Sequence, residues 1–219
     1  MPRLIAFDVD STLLSVESLD YAIARAARIR GGADLVATAV EKLTDQGMAG
    51  QLGFRKSLAG RLEIGRLTRT EVFDAADEIA QLATPGMAEL LSGLREAGDR
   101  VVAVSGGFRE LISDALYRLG FEDDEIFAND FIWMDEHAME VETSNPLSDN
   151  GGKPTVLAAL DGSPKIMIGD GATDLEAFTA GAADHFIGFG GVKTRPDVRK
   201  KAPRFAREVA GIDAILNVL

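Results

Sequence analysis

The sequence predicts an α/β protein: a Rossmann-like parallel sheet with helices on both faces and a small all-helical cap inserted after the first strand. Three observations carry this. Apolar runs without polar alternation, at residues 4–7 and, after Arg100 and Lys165, within 100–104 and 165–168, read as strands buried on both faces. Segments with helical spacing lie between the later strands, which favours parallel pairing. Residues of roughly 18–82 show helical spacing alone, with no strand pattern.

The first strand runs from Leu4 to Phe7 and breaks into Asp8-Val9-Asp10. If the extended geometry holds for one more step, Asp8 and Asp10 point the same way. Four helices follow. Leu19, Ile23, Ala26 and Ala27 mark the first, which Gly31-Gly32 interrupts. Leu35, Val36, Ala39, Val40 and Leu43 mark the second, ending near Gly47. Phe54, Leu58 and Leu62 mark the third, ending at Gly65. Thr68 with Glu71 three residues on is a capping-box pattern, and Val72, Ala75, Ala76, Ile79 and Leu82 continue the fourth. Thr84-Pro85-Gly86 marks the return. The expected division is a catalytic core of residues 1–17 and 83–219 with a cap of 18–82.

In the core, Leu90, Leu91 and Leu94 lie on a helix stopped by Gly98, and the strand at 100–104 ends in Ser105-Gly106-Gly107 before a helix over 108–119. A short strand at 126–128 and a hairpin over 131–141 come next. Asn150-Gly151-Gly152-Lys153 opens a helix through Leu160. The strand at 165–168 ends in Gly169-Asp170-Gly171-Ala172-Thr173-Asp174, where another helix begins. Residues 185–188 read as the last central strand and 212–219 as a terminal helix.

Composition narrows the functions. A formal charge of −12 over 219 residues disfavours nucleic acid as a partner. No apolar run approaches the roughly 20 residues that span a bilayer, so no membrane partner is expected. There is no cysteine, which excludes disulfides and thiolate metal sites. No export signal precedes the first strand, and a cytoplasmic location is expected.

Three strands end in polar, Gly-rich turns, at Asp8, Ser105 and Asp170. In a parallel sheet these ends converge on one edge, where ligands bind. Two carboxylates as close as Asp8 and Asp10 repel, so the pair holds a proton or shares a cation. Ser105 with the Gly106 and Gly107 backbone N–H groups, read as a helix N-terminus, suits an anionic oxygen. Lys153 opens a helix, where a cation opposes the macrodipole and an anionic partner would compensate. Asp170 adds a third carboxylate, and Asp174 faces the same side across the first helical turn. Oxygen donors without nearby His or Cys point to a hard cation, magnesium. Together these parts suit phosphoryl transfer.

DVDST at 8–12, SGG at 105–107, Lys153 and GDGATD at 169–174 resemble, in order and spacing, the four motifs of the haloacid dehalogenase-like phosphatases. Within that family the closer resemblance is to the members that hydrolyse phosphoserine. It rests on Glu17, GMAGQLGFRKSLAGR at 47–61, SGGFR at 105–109 and FIGFGG at 186–191. The resemblance implies that Asp8 is the nucleophile that becomes an aspartyl phosphate. Asp10 then protonates the leaving alkoxide and activates water, and Ser105 and Lys153 hold phosphoryl oxygens. It implies magnesium on the Asp8 side chain, the Asp10 carbonyl and Asp170, supported by Asp174. Glu17 would take the substrate ammonium and Arg61 its carboxylate. Met48 and Phe54 would shape the pocket, with Gly106 and Gly107 beside the substrate and Thr173 lining the site. The alternative reading of Glu17 and Arg61 is two solvated surface charges, with Arg61 paired to a nearby acid such as Glu63. Thr173 stands where many bacterial members have Asn, so the sequence leans to the eukaryotic type. The implied activity is the final step of serine biosynthesis on a small-molecule substrate, with a homodimer left open as the assembly. Competing readings are a relative acting on another small phosphomonoester, or passing the phosphoryl group to an alcohol, and a phospho-accepting receiver domain.

Overall fold

The computed structural model describes residues 1–219, the side chains of Ala33 and Met139 excepted. Its strands are β1 (Leu4–Phe7), β2 (Arg100–Phe108), β3 (Ile126–Asn129), β4 (Phe131–Met134), β5 (His137–Val141), β6 (Lys165–Gly169), β7 (His185–Phe189) and β8 (Arg204–Ala206). Its helices are α1 (Ser18–Ile29), α2 (Ala33–Met48), α3 (Phe54–Gly65), α4 (Arg69–Ile79), α5 (Met87–Glu96), α6 (Arg109–Arg118), α7 (Gly152–Ala159), α8 (Ala172–Thr179), α9 (Pro196–Lys201) and α10 (Val209–Leu216). Among the described residues, no helix is long and apolar enough to cross a membrane.

Six strands form one parallel sheet in the order β3-β2-β1-β6-β7-β8. β1 sits between β2 and β6, and the strand order reverses beside it, so the crevice at its carboxyl end is a switch point where ligands bind. Both faces of β1 are buried. Ile5 and Phe7 pack with Leu90, Leu94, Leu111, Ile112 and Ile212 of α5, α6 and α10. Leu4 and Ala6 pack with Leu157, Leu175 and Val198 of α7, α8 and α9. Side chains alternate across a strand, so a four-residue apolar run feeds two cores at once. That is why the run carries no polar alternation.

Helices α1–α4 lie between β1 and β2 in sequence and share the apolar cluster of the α5/α6 side through Leu19, Ile23, Phe54, Leu58, Leu62, Val72 and Ile79. The Thr68 capping box forms: the Glu71 N–H donates to Thr68 Oγ1 and Thr68 N–H to Glu71 Oε2. Such a cap contributes about 1 kcal/mol. The two crossings between α1–α4 and the rest run side by side. Ser15 N–H donates to Leu82 O at 2.8 Å and Thr84 N–H to Leu13 O at 2.8 Å. The β4–β5 hairpin docks on the α3–α4 junction, with Ala138 N–H on Leu67 O at 2.8 Å and Arg69 N–H on Glu136 O at 3.0 Å.

Three expectations are corrected, and one is extended. The extended geometry does not persist past Asp8. Residues Val9–Leu13 form a wide turn in which Leu14 N–H reaches Val9 O at 2.9 Å and Ser11 takes φ 56°. β2 does not stop at Val104; it continues to Phe108 with a register shift between those residues. Ser105-Gly106-Gly107 therefore occupies an irregular strand segment and not a helix N-terminus. β7 is the last central strand, as expected, and a further strand, β8, pairs along it at the sheet edge. α9 precedes β8, and neither is among the expected elements. The terminal helix begins at Val209, ahead of the expected 212.

Candidate active site

The end of β1 is polar and buried. Asp8 follows the strand, its N–H held by Ile168 O of β6 at 2.8 Å. Its carboxylate accepts from Lys153 Nζ, which also donates to Asp174 Oδ1 at 2.5 Å. Lys153 reaches them from the first turn of α7, and Asp174 from the first turn of α8, where it also accepts the Gly171 N–H at 2.9 Å. Asp8, Asp170 and Asp174 each offer an oxygen, and these lie within 4.8 Å of one another. Burial and the Asp174 charge push the Asp8 carboxyl up to about 6, although Lys153 pulls it down. Burial and the Glu17 charge hold Asp170 well above the ordinary carboxylate range, against Arg195. Burial alone would depress Lys153, but Asp174 and Asp8 outweigh it and hold the ammonium above the ordinary lysine range. Asp8, Asp170 and Asp174 converge beside one lysine, and Asp8 and Asp170 resist ionisation there. All their donors are oxygen, so the cluster can hold a hard divalent cation.

Asp10 stands apart from that cluster. The Ser18 N–H and Oγ–H donate to its two oxygens at 3.0 and 3.1 Å. Burial, then the Glu17 and Asp8 charges, push its carboxyl up to about 8. Its side chain, held by Ser18 and raised in this way, can carry a proton.

Asp8, Asp10, Met48, Phe54, Arg61, Ser105, Gly106, Gly107, Lys153 and Thr173 line one cavity, closed by Leu19 and Leu58. The first ten are all residues that the sequence singles out. The cavity has a volume of about 20 Å³, room for about one water. Gly106 is a glycine for a steric reason: a Cβ there would stand 2.4 Å from the Phe54 ring of α3. Its carbonyl accepts from Asn129 Nδ2 at 2.9 Å, which fixes the peptide. Gly107 N–H is already committed to Ser105 Oγ at 2.9 Å.

Glu17 is not on the cavity lining. It lies beside an outer groove with Asp20, Tyr21 and Lys193. Its Oε1 accepts from Ser11 Oγ and from Arg195 Nη2, both at 2.8 Å, while its buried Oε2 has no hydrogen-bond partner. Arg61 is no surface charge and is not paired to Glu63. It is 4% exposed, donates to Asp20 Oδ1 at 3.2 Å, and keeps a buried Nε without a partner.

Arg195 is the residue that sequence reasoning misses. Its Nε donates to Asp170 Oδ2 at 2.7 Å, Nη2 to Glu17 Oε1 and Nη1 to Asp45 Oδ1 at 3.3 Å. The only available signal is an arginine four residues past the Gly-rich end of β7. Ser18 and Asn129 carry no signal of their own.

A haloacid dehalogenase-like hydrolase profile matches residues 5–179. The human phosphoserine phosphatase is 37% identical over 204 residues, covering 90% of this chain and 86% of that protein. A phosphoserine phosphohydrolase-like protein from Francisella tularensis superposes with a TM-score of 0.90 at 30% identity, over 99% of this chain and all of that one. A phospho-aspartyl intermediate analogue of phosphoserine phosphatase superposes with a TM-score of 0.81 at 30% identity, over 100% of this chain and 99% of that one. The chain belongs to the haloacid dehalogenase-like hydrolases, and among them to the family of the phosphoserine phosphatases.

Proposed function

We propose that the protein is a magnesium-dependent phosphatase that hydrolyses O-phospho-L-serine to serine and phosphate through an aspartyl phosphate on Asp8, the final step of serine biosynthesis. The observation that carries this is the unequal tuning of two carboxylates beside one cavity: burial raises both, but Lys153 pulls Asp8 down and it reaches only about 6. Asp8 is tied to Lys153, whereas Asp10 is pushed up to about 8 and holds its proton at neutral pH. A nucleophile needs the first state and a general acid the second.

In the proposed reaction Asp8 attacks phosphorus and the bond to the serine oxygen breaks. Asp10 gives its proton to that oxygen, then takes one from the water that cleaves the acyl phosphate. Lys153 and the Ser105 hydroxyl hold phosphoryl oxygens. Magnesium would be held by Asp8, the Asp10 carbonyl and Asp170, with Asp174 in support, and would supply charge neutralisation for the phosphoryl group. That a phosphoserine phosphatase has been solved as a phospho-aspartyl intermediate analogue supports the covalent route. Arg61, with an unpartnered Nε, would receive the substrate carboxylate, and Glu17, with an unpartnered Oε2, the ammonium.

A cavity of about 20 Å³ does not admit this substrate without movement. We place the movement in residues 18–82 as a cap, with hinges at the paired crossings 15–18 and 83–86.

Phosphate release from phosphoserine tests the proposal. Activity is expected with magnesium, to vanish on chelation and to return when the ion is restored. Magnesium at 100 times its dissociation constant should also stabilise the fold by about 2.7 kcal/mol, a rise of about 5–10 °C in Tm. Full activity after exhaustive metal removal would reject the metal assignment.

A further inference from the structure

We propose that Asp45, on α2 and outside the catalytic cavity, is a positioning residue. It latches the helical segment α2 onto the 190–195 loop of the core and so keeps Arg195 seated on Glu17 and Asp170. Four observations carry this. Lys193 Nζ and Arg195 Nη1 both donate to Asp45 Oδ1, at 2.5 and 3.3 Å. The same guanidinium binds Asp170 of the metal cluster and Glu17 at the crossing into α1, and its side chain is only 8% exposed. The loop that carries both cations is fixed to the core, since Gly190 N–H donates to Ala206 O of β8 at 2.9 Å and Thr194 Oγ1 to Gly190 O at 3.1 Å. Asp45 stands three residues before Met48, on the same side of α2, and Met48 lines the cavity. Met48 also overhangs the Asp170 loop, where a Cβ on Gly171 would lie 3.1 Å from its Sδ.

These contacts join three parts of the chain through one arginine: the metal loop after β6, the crossing into the helices, and α2. Lifting α2 would remove Asp45 from both cations at once and leave Arg195 with two carboxylates instead of three. Asp45 is half-exposed, so each of its ion pairs is weak and screened by salt. A weak latch suits a segment that must open on every turnover.

The test uses Asp45→Asn, which keeps the shape and removes the charge, with Asp45→Glu as the conservative variant. Amide exchange of residues 33–65 is followed in the substrate-free protein at low salt and near 1 M salt. Asp45→Asn is expected to exchange about two- to fivefold faster than the parent at low salt, with the difference closing at high salt. Asp45→Glu is expected to stay near the parent. In kinetics, which rest on the phosphatase reading, Asp45→Asn should raise KM for phosphoserine by about the same two- to fivefold, with kcat within twofold. If phosphoserine is not a substrate, only the functional reading fails, and the exchange data still decide the latch. Equal exchange in parent and Asp45→Asn at low salt, or a difference that salt leaves unchanged, would overturn the latch. So would a loss confined to kcat.

Discussion

Asp8→Asn should lose at least about 10⁴-fold in kcat while its fold and its melting temperature stay close to the parent's. Removal of a covalent nucleophile in a site whose parts act as a unit has effects of this order or larger. The amide keeps the shape of the side chain at the end of β1, and Lys153 keeps Asp174 as its anionic partner, so no buried cation is stranded. The measurement is phosphate release by a freshly purified variant, with mass spectrometry to show that the introduced amide has not deamidated back to the acid. Substantial turnover in the intact variant would exclude attack by Asp8.

Arg61→Ala should lose about 10- to 150-fold in kcat/KM on phosphoserine. This is the loss of one charge-assisted hydrogen-bonded contact of roughly 1.5–3 kcal/mol. Arg61 is buried against the cavity, and its Nε has no partner, so the guanidinium has capacity beyond the Asp20 contact. A planar fork of this kind matches a carboxylate. Asp20, left behind by the substitution, is partly exposed and can turn to water. The control is an aryl phosphate, which has a phosphoryl group but no carboxylate, and its loss should be far smaller. A damaged fold or a displaced metal would reduce both substrates alike. An equal fractional loss would mean that Arg61 does not read the serine carboxylate.

The net charge of −12 poses a problem for a protein that binds phosphate esters. The structure resolves it locally. The buried cations among the described residues are Arg61, Lys153 and Arg195, and every one sits at this site, beside the buried carboxylates Asp8, Asp10, Asp170 and Asp174 whose charge a bound divalent cation would help to balance. The rest of the acidic surface can remain solvated without repelling the substrate inside the cavity.

Much of this is legible in the sequence because it is local. β1 is a four-residue run buried on both faces, and two-sided burial leaves a direct mark: apolar residues at successive positions. The Thr68–Glu71 cap is fixed by residues three apart. Asp8 and Asp174 are legible because each follows the end of a strand whose pattern is clear, and Lys153 because Gly151-Gly152 marks the start of its helix. Arg195 is not, since its role comes from pairing with Glu17, 178 positions away, and nothing around it distinguishes it from a surface arginine. β8 escapes for a different reason. Arg204–Ala206 is three residues long with one large apolar side chain, too short for any period to show. The Ser105–Gly107 segment misleads because two glycines fit a helix-capping turn and an irregular strand equally well. The Asn129 hydrogen bond to Gly106 O and the Phe54 ring against Gly106, both tertiary contacts, belong to the second arrangement.

Substrate choice is tested most directly by kcat/KM for phosphate release from phosphoserine, phosphothreonine and phosphoethanolamine, measured side by side with magnesium. Phosphoethanolamine keeps the ammonium and the phosphoryl group but lacks the carboxylate that Arg61 would hold. A site built from Glu17, Arg61, Asp8 and Asp10 should favour phosphoserine over phosphoethanolamine by at least about tenfold, the value of one charge-assisted contact. Comparable kcat/KM on all three esters, or a preference for phosphoethanolamine, would contradict it.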